Sequence, residues 1–98
     1  YSATKGGING LMLSLANELS SLGIRVNAIS PGTVDTPMLE KTKSLIGDEA
    51  LDKYLSQYPL GAGTTNSLIP LIHLLIDKKA SSWITGQNLV VDGGYTLN

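Results

Sequence analysis

Tyr1 and Lys5 stand four residues apart at the head of a long amphipathic pattern, and their types are those of a proton donor and a cation that tunes it. At 100° per residue, Tyr1, Lys5, Ile8, Met12, Leu15 and Leu19 fall in one narrow stripe. The spacing therefore predicts a helix with the phenol and the ammonium on its apolar, core-facing side. Side chains at i and i+4 are neighbours, and a nearby cation favours the ionised form of a phenol. Such a pair suits general acid/base work near neutral pH, where a tuned group moves protons most effectively. The same spacing also fits a first turn whose side chains face water, since long amphipathic side chains snorkel. Spacing alone leaves both readings open.

Other candidates are weaker. Gly6, Gly7 and Gly10 lie inside the helical pattern, and Gly61 with Gly63 lack the third glycine of a dinucleotide fingerprint. Neither cluster follows a predicted strand, so close helix packing is expected to explain the first and a turn the second. His73 lies in an apolar run with no partner in view and reads as a packed or surface histidine. The absence of cysteine excludes disulfides, cysteine metal sites and thiol nucleophiles, and no metal is expected. Seven basic against eight acidic residues give a net charge of -1, with the lysines scattered, so the chain makes no electrostatic claim on nucleic acid. No apolar run reaches the ~18 residues of a membrane span and no signal sequence is visible; the lack of cysteine suggests nothing against a cytoplasmic home, and a cytoplasmic location is expected. The chain opens on Tyr rather than Met, so it is expected to be a piece of something longer.

The elements that must position these residues follow from periodicity. The helix is expected over residues 1–21 and to end before Gly23, whose missing Cβ suits a C-terminal cap. Residues 24–30 predict a buried strand closed by a turn at Pro31-Gly32. Thr36-Pro37 is a helix start, with Thr36 as cap, and a second short helix follows across Leu51, Tyr54, Leu55 and Tyr58, opened by Asp48 and Glu49 and ended by Pro59. Residues 68–76 predict a nearly all-apolar helix and residues 87–91 a second strand, ended by a turn at Asp92-Gly93-Gly94. Two strands joined by so long a crossover must be parallel. The class is α/β, with two parallel strands, about four helices and at most one domain in 98 residues.

Three runs, 1–7 (Tyr-Ser-Ala-Thr-Lys-Gly-Gly), 22–36 (Leu-Gly-Ile-Arg-Val-Asn-Ala-Ile-Ser-Pro-Gly-Thr-Val-Asp-Thr) and 84–94 (Ile-Thr-Gly-Gln-Asn-Leu-Val-Val-Asp-Gly-Gly), resemble the short-chain dehydrogenase/reductase family in order and spacing. The resemblance covers nearly all of the chain and corresponds to the C-terminal part of the family's doubly wound Rossmann-type parallel sheet, beginning at the catalytic tyrosine. It implies an oxidoreductase moving a hydride between NAD or NADP and a small carbonyl or alcohol substrate, similar to a 3-oxoacyl reductase. Tyr1 is then the proton donor, and Lys5 tunes it and binds the nicotinamide ribose. An oxidised nicotinamide ring adds a second positive charge beside the phenol. Pro31 and Gly32 shape the wall beside the ring, Val34 offers backbone groups to its carboxamide, and Thr36 adds a hydroxyl. Residues 38–58 form a mobile lid over the substrate, with Met38, Leu39, Leu45 and Ile46 as apolar lining. A homo-oligomer, dimer or tetramer, is implied, with no nucleic-acid or membrane partner. The family's phosphate-binding loop lies upstream of the tyrosine, beyond these 98 residues.

The chain departs from that pattern where Ala62 replaces a basic residue, where Thr64-Thr65-Asn66-Ser67 replaces an acidic first turn, and where Pro70 sits early in the following helix. That helix is expected to lose dipole stabilisation and to start late or kinked. A competing reading makes the chain a noncatalytic truncated piece acting only in folding or self-association, since a strand without one neighbour and an uncovered helix face invite pairing. The isolated chain is accordingly expected to be inactive, to bind cofactor negligibly and to self-associate.

Overall fold

The computed structural model describes residues 1–98. In chain order it holds α1 (Ser2–Ser20), β1 (Ala28–Pro31), α2 (Pro37–Ile46), α3 (Asp48–Leu55), α4 (Ile69–Ile76) and β2 (Asn88–Val91), with single 3-10 turns at Thr65–Ser67 and Tyr95–Leu97. The Ala28 amide donates to the Gln87 carbonyl and the Gly32 amide to the Val91 carbonyl. Pairing advances in the same sense along both strands, so β1 and β2 are parallel neighbours, as the long crossover requires. The chain divides into two compact units, residues 1–29 with 71–89 and residues 30–70 with 90–98.

In the first unit α1 closes where the sequence reading placed its end. Gly23 takes φ +72°, its amide bonds the Ser20 carbonyl, and the Ile24 amide reaches back to Leu19, a Schellman closure that needs the left-handed conformation. Burial along α1 corrects the sequence reading. Met12 and Ala16 are buried and Leu15 and Leu19 half-buried, whereas Tyr1, Lys5 and Ile8 are exposed, because nothing in the unit packs over the first two turns. The same bareness overturns the packing explanation of Gly6, Gly7 and Gly10, since a Cβ at any of them would meet no atom within 4 Å.

The first strand is shorter than expected and half-buried rather than buried. Residues 25–27 are not in the ladder, because their polar groups are taken by the end of α4 and the segment before β2. The Arg25 guanidinium donates to the carbonyls of Leu75 and Ile84, the Val26 amide to the Thr85 hydroxyl, and the Asn27 side chain bridges the Ile84 carbonyl and the Gln87 amide. These bonds satisfy buried or half-buried donors that would otherwise be stranded. Ser81 is fully buried, and its hydroxyl donates to the carbonyl of Leu75 in the last turn of α4 and to that of Asp77 just beyond it.

The second unit is built around Leu51 and Tyr58, both buried. α2 starts with Pro37 at its first position and Thr36 in extended conformation at the cap, as read from sequence. The cap is made by the backbone alone: the Thr36 carbonyl accepts from the Leu39 and Glu40 amides, and its hydroxyl makes no capping bond. α3 carries Asp48 and Glu49 in its first turn and packs on α2, with a Lys43–Asp48 ion pair at the joint. Ahead of α4, the missing acidic turn is replaced by a reciprocal capping box between Thr64 and Ser67 around the 3-10 turn. α4 then begins at Ile69, with Pro70 in its first turn, where the absent amide removes no helical bond.

Candidate active site

Tyr1 sits at the cap position of α1 and Lys5 one turn on, with the Tyr1 carbonyl accepting from the Lys5 amide at 3.0 Å. The Lys5 ammonium lies 5.5 Å from the Tyr1 ring centroid, over the ring face. This is a cation–π contact and confirms that the (i, i+4) spacing brings the two groups together. Tyr1 is 93% exposed, so water screens that interaction. The pair has the composition of an acid/base device, and a drier surrounding than this face of α1 is needed for the ammonium to act strongly on the phenol.

The loop after β1 is held much more firmly. Val34 pairs with Gly63 as an isolated parallel bridge, in which the Gly63 amide donates to the Thr33 carbonyl and the Asp35 amide to the Gly63 carbonyl. In such a bridge the outer halves of the flanking peptides do the bonding. Val34's own amide and carbonyl point the other way, and both are without a partner. Half-buried Val34 thus offers one open donor and one open acceptor side by side. Thr36, also half-buried, adds its uncommitted hydroxyl two residues on. A cavity of about 190 Å³ lies against this loop, lined by Gly32, Thr33, Val34, Gly63, Leu68 and Asp92 among others.

Gly32 has a structural duty of its own. A Cβ there would stand 2.7 Å from the Asp92 Cα and 3.0 Å from Cε1 of Tyr58, so only glycine lets the end of β1 lie against the end of β2. Pro31 beside it is exposed. The turn after β2 is braced by Asp92, whose carboxylate accepts from the amides of Thr96 (2.9 Å) and Gly94 (3.0 Å). Those bonds, Thr96's first, hold its pKa below the ordinary carboxylate value.

Sequence reasoning missed a cluster of hydroxyls. The Thr33 hydroxyl lies 2.9 Å from the Tyr54 hydroxyl and 2.8 Å from that of Tyr58, and the two phenols lie 2.9 Å from each other. The rings of Tyr58 and Tyr95 stack at 4.7 Å, and Tyr54 meets Tyr58 edge-on at 5.7 Å. Hydrogen bonding from Thr33 pulls the Tyr54 phenol below its usual value, while burial pushes Tyr58 above it. The available signal was the (i, i+4) spacing of Tyr54 and Tyr58, whose polar tips demand partners once the rings pack.

The sequence profile of the family described as enoyl-(acyl carrier protein) reductase matches residues 1–96. A 3-oxoacyl-[acyl-carrier-protein] reductase of Thermotoga maritima is 36% identical over 97 residues, which span 99% of this chain and 38% of that protein. Among solved structures, a 4-hydroxyisoleucine dehydrogenase complexed with NADH superposes with a TM-score of 0.86 at 36% identity, over 100% of this chain and 40% of that one. A protein of Agrobacterium tumefaciens described as a 2-deoxy-D-gluconate 3-dehydrogenase, with bound NADP, superposes with a TM-score of 0.84 at 35% identity, over 100% of this chain and 39% of its own. The chain thus spans less than half the length of the proteins it matches. Four helices, a parallel strand pair and a profile match over all but the last two residues lead to one conclusion: the chain belongs to the short-chain dehydrogenase/reductase family and carries the C-terminal α/β part of its fold.

Proposed function

We propose that the chain is the C-terminal portion of an NAD- or NADP-dependent oxidoreductase acting on a carbonyl or alcohol substrate, of the 3-oxoacyl reductase kind. The observation that carries this reading is the Tyr1–Lys5 contact at the head of α1, at the family's motif position. In reduction the Tyr1 phenol gives its proton to the substrate oxygen as the carbonyl carbon gains a hydride, and in oxidation it takes that proton back. Lys5 favours the phenolate left behind and reaches the nicotinamide ribose. The bound nicotinamide supplies or accepts the hydride.

The residues present fit the nicotinamide end of such a cofactor. The open amide and carbonyl of Val34 complement a primary carboxamide, which has one acceptor and donors on a single planar group. Thr36 adds a hydroxyl and Pro31 with Gly32 forms the adjoining wall. No glycine-rich loop stands between a strand and a helix in this chain, so the pyrophosphate is held by residues outside it. α2 and α3 form the substrate lid of residues 38–58, with Met38 and Leu45 exposed for contact. The working protein is a soluble cytoplasmic dimer or tetramer, and none of its helices described here is long and apolar enough to cross a membrane.

The test is Tyr1→Phe in the full-length protein. Turnover is expected to fall by about 10²- to 10⁴-fold with cofactor affinity within about twofold of the parent, because Phe keeps the ring and removes the proton. Near-normal turnover would refute the acid/base role.

A further inference from the structure

The pair α2–α3 is joined to the rest of its unit by little polar bonding. Of all side chains on these two helices, only that of Tyr54 hydrogen-bonds a residue outside the pair. Its partner Thr33 belongs to the loop that presents Val34 and that is fastened on its other side by the Gly63 bridge. The two phenols around Thr33 differ in anchorage. Tyr58 is buried, stacked on Tyr95 and set against Gly32, beyond the end of α3. Tyr54 sits on α3 itself, is 37% exposed and, besides its hydroxyl bonds, holds an edge-on contact with Tyr58 and a looser tilted one with Tyr95, at 6.4 Å between ring centroids. Water reaches the Tyr54–Thr33 bond and can replace either partner, while Tyr58 keeps the Thr33 hydroxyl satisfied when Tyr54 leaves.

We propose that Tyr54 is a positioning residue, a latch that holds the α2–α3 segment against the loop of residues 31–36, and that its release governs entry and exit of substrate. The inference rests on reading residues 38–58 as a substrate lid. Tyr58 and Tyr95 form the fixed side of the latch and Tyr54 the moving side, since the first two are stacked on each other and the third is held by its hydroxyl bonds and looser edge-on and tilted ring contacts. Lid opening then gives up the α3 contacts around Leu51 and the Tyr54 ring contacts with Tyr58 and Tyr95, and leaves the Tyr58–Tyr95 stack in place. The loop keeps its shape throughout, because its backbone bridge to Gly63 does not involve α3.

Hydrogen exchange and steady-state kinetics on full-length Tyr54→Phe, Thr33→Val and the double variant test this. In Tyr54→Phe the amides of α2 and α3 are expected to exchange about three- to tenfold faster, those of α1 to be unchanged, and the substrate KM to rise about three- to tenfold with kcat undiminished. Adding Tyr54→Phe to Thr33→Val should change α3 exchange less than twofold further, because the bond is already gone. Unchanged exchange in α3, equal acceleration in α1 and α3, or additive effects in the double variant would each overturn the latch. Faster α3 exchange with an unaltered KM would overturn its link to substrate. Exchange is read without cofactor or substrate, so a failed latch and a failed proton-donor assignment give different results.

Discussion

The first half of α1 and the loop of residues 31–36 both carry residues proposed for the site, yet they are supported in opposite ways. Around Tyr1 and Lys5 the chain supplies one cation–π contact and open surface, with Ile8, Leu11 and Leu13 also exposed. Around Val34 it supplies a backbone bridge on one side, three mutually bonded hydroxyls on the other and a glycine pressed against the neighbouring strand end. The difference teaches that the loop after β1 is a self-sufficient structure, whereas the proposed proton-donating pair stands on open surface and would need groups packed over α1 to dry and aim it.

That contrast can be broken at Gly32 first. Gly32→Val forces a branched side chain into the Asp92 backbone and the Tyr58 ring, so it is expected to destabilise the chain by about 3 kcal/mol, read as a lowered denaturation midpoint. A loss of cofactor affinity with unchanged stability would show that the glycine serves only the ligand. The bare helix predicts the reverse sign. Gly7→Ala adds a Cβ that meets nothing within 4 Å and improves helix propensity, so the 98-residue chain should gain about 0.5 to 1 kcal/mol. A loss of stability there would reveal a covered α1 face.

The smallest effect concerns Asp92 and appears only on acidification. Its folded pKa lies below the ordinary 3.8, so its bonds to Thr96 and Gly94 contribute stability that is fully present above that value. That stability is lost as pH falls through the lowered folded pKa. Asp92→Asn should flatten the stability profile below about pH 4 and leave the slope above pH 5 unchanged. A slope at low pH equal to that of the parent would show that the Thr96 and Gly94 bonds do not form in solution.

Much of the fold was legible because it depends on local chemistry. Gly23 ends α1, Pro37 begins α2, Asp48 and Glu49 open α3, and the long crossover makes the strands parallel, each for reasons contained within a few residues or in chain connectivity. The Tyr1–Lys5 contact is of the same kind, since one helical turn brings the two together wherever the helix lies. Motif order likewise pointed to the family that the profile match over residues 1–96 establishes. Tertiary structure decided what lies at long sequence separation. It buried Met12 and Ala16 rather than the whole stripe, moved the start of β1 to Ala28 by engaging Arg25 to Asn27 with residues near 84, and turned Thr36 from a side-chain cap into a free hydroxyl. It also gathered Thr33, Tyr54, Tyr58 and Tyr95 and left the peptide groups of Val34 open. Periodicity reports which face of an element is apolar, but whether that face is covered, and which polar tips meet, is set by partners whose positions no local pattern encodes.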